Sequence, residues 1–425
     1  MMQTLTILGG GSAYTPGLLQ ALIAHAGELP LTSVRLYDTD ADHLAIVARL
    51  TSAMAQQAGA FKVELAPTLE AAIAGADLVL NSTRPGGLAA RRIDETLPLE
   101  FGLPGQETVG PGGFFFALRS VPEALRVATV MQALAPDAIL LNYTNPSNIV
   151  TQALSDRGGV KVIGLCDQSD EDLLALCHAL GRPPRYTFRC NGLNHATWYS
   201  DVLIDGAPLT ALSASLAPPD DYDDEHKLRF ALSLQMAHEQ PGYWPNSYLP
   251  YYLFPKAFVA HAQRTGPRSD VVAASLAKYY AHFEAEGKKP QPQLKFFRGS
   301  AGFGDLAVTV IRALASSTPH ELVLNLPNLG ATSAFAHDTV VETRVRVSRA
   351  GIERLPAPQL PTSFYGLAKQ LERYQRLTAR AASGGDHQAR VAALAANPLV
   401  GKPLLAAHML SQASARYAGW FEGTP

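Results

Sequence analysis

The feature that most constrains this chain is Leu5-Thr6-Ile7-Leu8-Gly9-Gly10-Gly11-Ser12, an apolar run that breaks into glycines just before Leu18, Leu19, Leu22 and Ile23 recur at helical spacing. A short apolar run followed by a 3.6-residue period reads as strand, tight turn and helix. The pattern then repeats. Residues 34–38 predict a second strand closed by an acid, residues 41–57 a helix, and residues 63–65, 78–80, 139–141 and 162–165 further strands separated by helical stretches. Strands alternating with helices are joined by right-handed crossovers and lie parallel. The expected fold class is therefore α/β, with a Rossmann-like, doubly wound parallel sheet over residues 1–167. From Gln168 the periodicity changes: residues 187–204 alternate as strands do, while 269–285, 305–316 and 363–382 are helical. A second domain of mixed α+β structure is expected over residues 168–425.

Composition narrows the class of partner. Hydrophobic residues make up 47% and charged residues 17% of 425, too apolar a mixture for disorder. Lys and Arg number 35 against 37 Asp and Glu, so no overall field recruits nucleic acid or an acidic membrane, and a small molecule is the expected ligand. No Lys or Arg precedes Arg35 and no apolar run reaches the roughly 18 residues of a membrane span, which predicts a cytoplasmic location. Cys166, Cys177 and Cys190 are too few for a disulfide framework and suit a reducing compartment. The acidic stretch 218–225 reads as a solvated loop.

The glycine turn carries the first chemistry. Gly9-x-Gly11 follows a strand and opens a helix, where backbone N–H groups and the helix N-terminus can meet a pyrophosphate; Tyr14 stands where a third glycine is usual. Asp38 ends the second strand 27 residues after Gly11, placed to accept hydrogen bonds from a ribose diol and to repel a 2′-phosphate, which favours NAD over NADP. A simple tight turn is the alternative. Next comes a polar, glycine-dense stretch: Asn81-Ser82-Thr83-Arg84-Pro85-Gly86-Gly87, then Arg91, Asp94, Glu95 and Gly105-Gln106-Glu107-Thr108-Val109-Gly110. Sheets of this class bind ligands at the carboxyl ends of their strands, and this stretch follows the fourth. Asn142 and Asn145 close the fifth strand, Cys166-Asp167-Gln168 the sixth, and Asn194-His195 follow. A thiolate and an imidazole are acceptable ligands for a divalent transition metal, although each residue taken alone reads first as core, and only their company points to a site.

Taken in order, these pieces resemble glycoside hydrolase family four, and within it most the 6-phospho-β-glucosidases. The resemblance runs from Gly9-Gly10-Gly11-Ser12-Ala13-Tyr14-Thr15-Pro16 through Arg84-Pro85-Gly86-Gly87-Leu88, Gly105-Gln106-Glu107-Thr108, Thr144-Asn145-Pro146, Gly164-Leu165-Cys166 and Gly192-Leu193-Asn194-His195 to Asn246-Ser247-Tyr248-Leu249-Pro250-Tyr251-Tyr252. Beyond residue 250 it is looser, chiefly at Arg298-Gly299 and Asp305. It implies a fold like that of lactate and malate dehydrogenases, NAD and Mn²⁺ or another divalent metal as cofactors, and a homodimer or homotetramer acting on a glycoside. It further implies redox-assisted elimination: NAD⁺ removes hydride from C3, the ketone acidifies the C2 proton, and a metal held by Cys166 and His195 stabilises the enolate while Tyr248 takes that proton. The aglycone leaves, water adds, and the hydride returns. The implied cofactor contacts are Gly9, Gly11, Ser12, Asp38, Asn81 and Arg84; those to substrate are Arg91, Asn145, Asp167, Asn194 and Arg298. Packing among aromatic neighbours is the alternative for Tyr248.

Two positions depart from the family pattern. Members acting on 6-phospho-β-glucosides usually carry Asn after the metal Cys and Arg two residues after the Tyr; here those places are Asp167 and Pro250. One cation is lost and one anion gained, which disfavours a dianion at the sugar 6-position, with Arg91, Lys295 and Arg298 as possible compensation. The rival enzyme class is an NAD-dependent 2-hydroxyacid dehydrogenase, which would accumulate NADH and need no metal.

Overall fold

Residues 2–212, 216–295 and 304–417 are described by a computed structural model. The six expected strands form, as β1 (Thr4–Leu8), β2 (Ser33–Tyr37), β3 (Lys62–Leu65), β4 (Leu78–Asn81), β5 (Ile139–Asn142) and β6 (Lys161–Gly164). They pair in parallel in the order β3-β2-β1-β4-β5-β6, which is doubly wound about β1. Near-continuous apolar runs make this possible, because central parallel strands are covered on both faces. Leu8, Val79 and Leu140 face one core with Phe114 and Phe115 of the helix Gly110–Leu134, while Ile7, Leu78, Leu80 and Leu141 face the other with Leu19, Leu22, Val47 and Ile311.

A second sheet is built from β7 (Tyr186–Leu193), β8 (Ala196–Ile204), β9 (Ala207–Pro208) and β10 (Tyr243–Pro245), all antiparallel about β8. The later strands β11 (His320–Pro327), β12 (Val340–Ser348) and β13 (Gly351–Arg354) do not stay with it. They extend the first sheet beyond β6 in antiparallel sense, beginning at Asn325 opposite Gly164, to make nine strands in all. The helices expected over 269–285, 305–316 and 363–382 are Arg268–Glu286, Asp305–Ala315 and Tyr365–Ala382. The helix Pro403–Arg416 buries Ala406, Met409, Leu410 and Ala413 in the core beside Phe115. Among the described residues no helix is long and apolar enough to cross a membrane.

Candidate active site

Every parallel strand ends at the same edge of the sheet, so the turns after β1, β2, β4, β5 and β6 converge there. The first turn makes a cradle. Gly9 has φ of +83°, and a Cβ on it would sit 2.9 Å from the Ser82 carbonyl oxygen. Only glycine meets both demands without strain. Gly9 and Gly10 donate their N–H groups to the Tyr37 carbonyl at 3.0 and 2.9 Å, and Gly11 donates to Asp38 Oδ2 at 2.9 Å, which ties the turn to the end of β2. A Cβ on Gly11 would meet Leu44 N at 2.9 Å. Ser12 N–H closes the turn on the Gly9 carbonyl at 3.0 Å. The following helix, Thr15–Ala24, has no side-chain cap; Thr15 N–H donates to the Ser12 carbonyl at 3.0 Å and Pro16 carries no N–H, so what the helix offers an anion is chiefly the positive end of its dipole. The cradle fits a dinucleotide pyrophosphate, with Asp38 beside it.

Asn81, expected as a cofactor contact, also bonds within the protein. It is fully buried at the end of β4, donating to Asn142 Oδ1 at 3.2 Å and accepting from Thr83 Oγ1 at 2.8 Å, so its side chain braces two strand ends. Arg84 pairs with Glu107 and lies over the Phe116 ring at 5.0 Å. Arg91, on the helix Gly87–Glu100, is buried between Glu95 at 2.7 Å and Glu107 at 3.2 Å. Beneath them Arg119 grips Asp94 through two bonds of 3.0 and 2.6 Å. The polar, glycine-dense stretch is thus mostly a buried ion-pair network. Asn145 accepts from Ser147 N–H at 3.3 Å just after β5, within the cis peptide Asn145-Pro146.

Cys166 and His195 come together from separate sheets. Cys166 follows β6, and His195 occupies the two-residue turn between β7 and β8, where Leu193 faces Ala196. His195 has φ of +62°, a left-handed conformation that a side chain adopts only when its surroundings impose it. The turn is anchored by Glu342 of β12, a fully buried carboxylate accepting from Asn194 at 2.8 Å, Thr197 at 2.5 Å and Asn325 at 3.2 Å. Cys166 Sγ lies 3.5 Å from His195 Nε2, and Thr108 Oγ1 lies 3.1 Å from Nδ1. Burial, with Arg229 nearby, holds the imidazole down to about 3, so it is neutral, as a metal ligand must be. Burial and the Glu342 charge push the Cys166 thiol well up in the free protein. Among the described residues no third His, Cys, Asp or Glu completes a cluster. A soft sulfur and an imidazole nitrogen 3.5 Å apart fit one divalent cation with positions left for substrate oxygens.

Tyr248 stacks on His195, with ring centroids 4.2 Å apart and planes at 21°. Burial raises its phenol to about 12, opposed by the Arg229 guanidinium, whose carbon lies 4.6 Å from the ring centre. Asp167 accepts from Tyr143 OH at 3.2 Å, and burial, reinforced by Glu171, pushes its carboxyl up to about 8. Asn194 is committed to Glu342, and Arg298 lies outside the described residues. The sequence reading missed three residues here: Thr108 as the partner of His195, Glu342 as the anchor of its turn, and Arg229.

Comparison with known proteins decides the family. The model of the family 4 glycosyl hydrolases matches residues 4–171, and the model of their C-terminal domain matches 190–400. The chain belongs to the family 4 glycosyl hydrolases. This glycosyl hydrolase is 30% identical over 420 residues, 95% of its own length and 94% of the relative's, to a Bacillus subtilis protein named "Probable 6-phospho-beta-glucosidase". It is also 30% identical over 391 residues, 88% and 87% of the two chains, to 6-phospho-alpha-glucosidase 1 of Lacticaseibacillus paracasei. The crystal structure of a 6-phospho-alpha-glucosidase from gut microorganisms, in complex with NAD and Mn²⁺, superposes with a TM-score of 0.90 over 99% of each chain at 24% identity, establishing the shared fold. Malate dehydrogenase of Plasmodium falciparum shares the broader architecture, with a TM-score of 0.52 at 9% identity over 90% of this chain and all of that one.

Proposed function

We propose that this family 4 glycosyl hydrolase uses NAD⁺ and a divalent cation such as Mn²⁺ to cleave O-glycosidic bonds of 6-phosphoglucosides by redox-assisted elimination, the β-linked ones first. The single observation that carries this reading is the convergence of Cys166, His195 and Tyr248 at the strand edge that also bears the Gly9-Gly11 cradle. When bound, NAD⁺ and the cation supply a hydride acceptor and a Lewis acid. The rest falls to the chain. Gly9, Gly11 and Ser12 shape the pyrophosphate cradle and Asp38 takes the ribose hydroxyls. Cys166 Sγ and His195 Nε2 hold the cation, and Thr108 occupies Nδ1, fixing which nitrogen faces it. Tyr248 takes the C2 proton. A phenol near 12 is a poor base at neutral pH, and a positive charge beside it is what lowers it. Arg91, Asn145 and Asp167 line the substrate side in this reading, and Arg298, outside the described residues, is kept as a proposed substrate contact. Residues 1–167 then form the dinucleotide-binding domain, which also lends Cys166, Arg91, Asn145 and Asp167 to the site, and 168–425 form the metal, substrate and oligomerisation domain that brings His195 and Tyr248. A cytoplasmic homodimer or homotetramer is part of the same proposal, with no nucleic acid or membrane as partner.

The test is release of p-nitrophenol from its α- and β-linked 6-phosphoglucosides and plain glucosides, with and without NAD⁺ and Mn²⁺. Turnover requiring both cofactors, with no build-up of NADH, is the expected result. Stoichiometric NADH would instead indicate a dehydrogenase. Equal turnover of phosphorylated and plain substrates would remove the basis for treating Asp167 and Pro250 as determinants of specificity.

A further inference from the structure

Arg229, on the helix Asp224–Glu239, is only 5% exposed, yet among the described residues it has no carboxylate within ion-pair distance. Among the described residues its Nε has no hydrogen-bond partner, and its Nη1 makes one long bond, 3.4 Å, to Ser247 Oγ. The carboxylates whose charge it feels are engaged elsewhere. Glu225 accepts from Tyr251 OH at 2.8 Å and faces Arg268 at 3.6 Å, while Asp172 accepts from Gln168, Tyr199 OH and Ser247 N–H at 2.8, 2.9 and 3.1 Å. A guanidinium taken out of water without a counter-charge is costly and has five donors to satisfy. Its face rests on Tyr248, which stacks on His195, so the unspent donors lie beside the catalytic centre. Ser247, its one bonded neighbour, is also held by Gln168, next in sequence to Asp167. This neighbourhood lacks a cation from Pro250, and Arg229 brings one from another helix.

We propose that Arg229 is the specificity-determining residue that recognises an anionic oxygen group, phosphoryl or carboxylate, on the sugar being cleaved. The inference rests on the glycosidase proposal for its sugar. A planar guanidinium with free donors matches either group through paired, charge-assisted hydrogen bonds, and nothing in a neutral hydroxymethyl answers its charge.

The experiment titrates the NAD⁺- and Mn²⁺-loaded enzyme with glucose 6-phosphate, glucuronate and glucose by calorimetry, for wild type, Arg229→Gln, Arg229→Met and Arg229→Lys, with circular dichroism confirming each fold. The readout is the ratio of anionic to neutral sugar affinity. We expect about 30-fold or more in wild type for at least one anion, a fall to within about 3-fold of unity in the Gln and Met variants, and partial recovery with Lys. Preference for glucose 6-phosphate identifies a phosphoryl ligand, and preference for glucuronate a carboxylate. A wild-type ratio near unity, no sugar binding at all, or a ratio preserved without the charge would overturn the inference; the first of these needs no variant. Cofactor-dependent turnover alongside a ratio near unity would leave the glycosidase proposal standing. A charge-dependent ratio without turnover would do the reverse.

Discussion

Replacing Asp94 by Ala should destabilise the protein more than any surface change, because it strands a buried cation. Asp94 and Arg119 side chains are each 1% exposed and meet through two bonds of 3.0 and 2.6 Å, and Tyr417 OH donates to the same carboxylate at 2.5 Å. Without the carboxylate, Arg119 keeps the carbonyls of Phe115 and Pro85, at 3.0 and 3.2 Å, and the faces of Phe116 and Tyr417, none of them an anion, and Tyr417 OH loses this acceptor. Breaking a buried pair from one side costs about 3–5 kcal/mol. Urea unfolding, followed by tryptophan fluorescence and far-ultraviolet circular dichroism, should show the unfolding free energy reduced by that amount. The double variant Asp94→Leu/Arg119→Met removes both charges and should recover at least about 2 kcal/mol of the loss. An Asp94→Ala protein within about 1 kcal/mol of wild type would refute the assignment of the pair as the buried strut of this loop.

Three further outcomes follow from the geometry. Gly9→Ala forces a Cβ to 2.9 Å from the Ser82 carbonyl oxygen at φ +83°, so NAD⁺ affinity should drop by about tenfold or more, with about 1–3 kcal/mol of stability lost, as fluorescence titration and unfolding would report. Thr108→Val removes the partner of His195 Nδ1 and should weaken Mn²⁺ binding about 10–100-fold by calorimetry; unchanged affinity would show that the tautomer is set otherwise. His195 is neutral in the folded protein down to about pH 3 but titrates near 6.5 when unfolded. Its contribution is therefore fully present above pH 6.5 and lost as pH falls from there toward 3, by about 1.4 kcal/mol per unit. In chelator, His195→Asn should flatten the pH dependence of unfolding between pH 6 and 4 by about one proton, and identical slopes would contradict the burial of a neutral ring.

The parallel half of the fold was legible because its signal is local. The runs at Leu5–Leu8 and Leu78–Leu80 lie in buried central strands, and each turn that follows carries its own glycine or asparagine. The three added strands at 320–354 were missed even though Val340–Ser348 alternates clearly, since nothing local says that Asn325 will pair with Gly164, 161 positions earlier. The site divides in the same way. Cys166, His195 and Tyr248 were found through motif resemblance, and they do assemble. Asn81 is less readable: an amide at a strand end suits a ligand or a brace equally, and its bonds to Asn142 and Thr83 reveal the brace. Arg229 and Glu342 belong to no local pattern. They act across 19 and 148 positions, on Tyr248 and Asn194, and only burial without or with partners reveals their roles.

The central claim is that the glycosidic bond breaks by elimination, with the C2 proton removed by Tyr248. The most direct measurement is turnover of the chromogenic 6-phosphoglucoside in D₂O with NAD⁺ and Mn²⁺, reading the released sugar by nuclear magnetic resonance. The account predicts deuterium at C2 of the product, and loss of turnover in Tyr248→Phe. Product formed at full rate with only protium at C2 would contradict it.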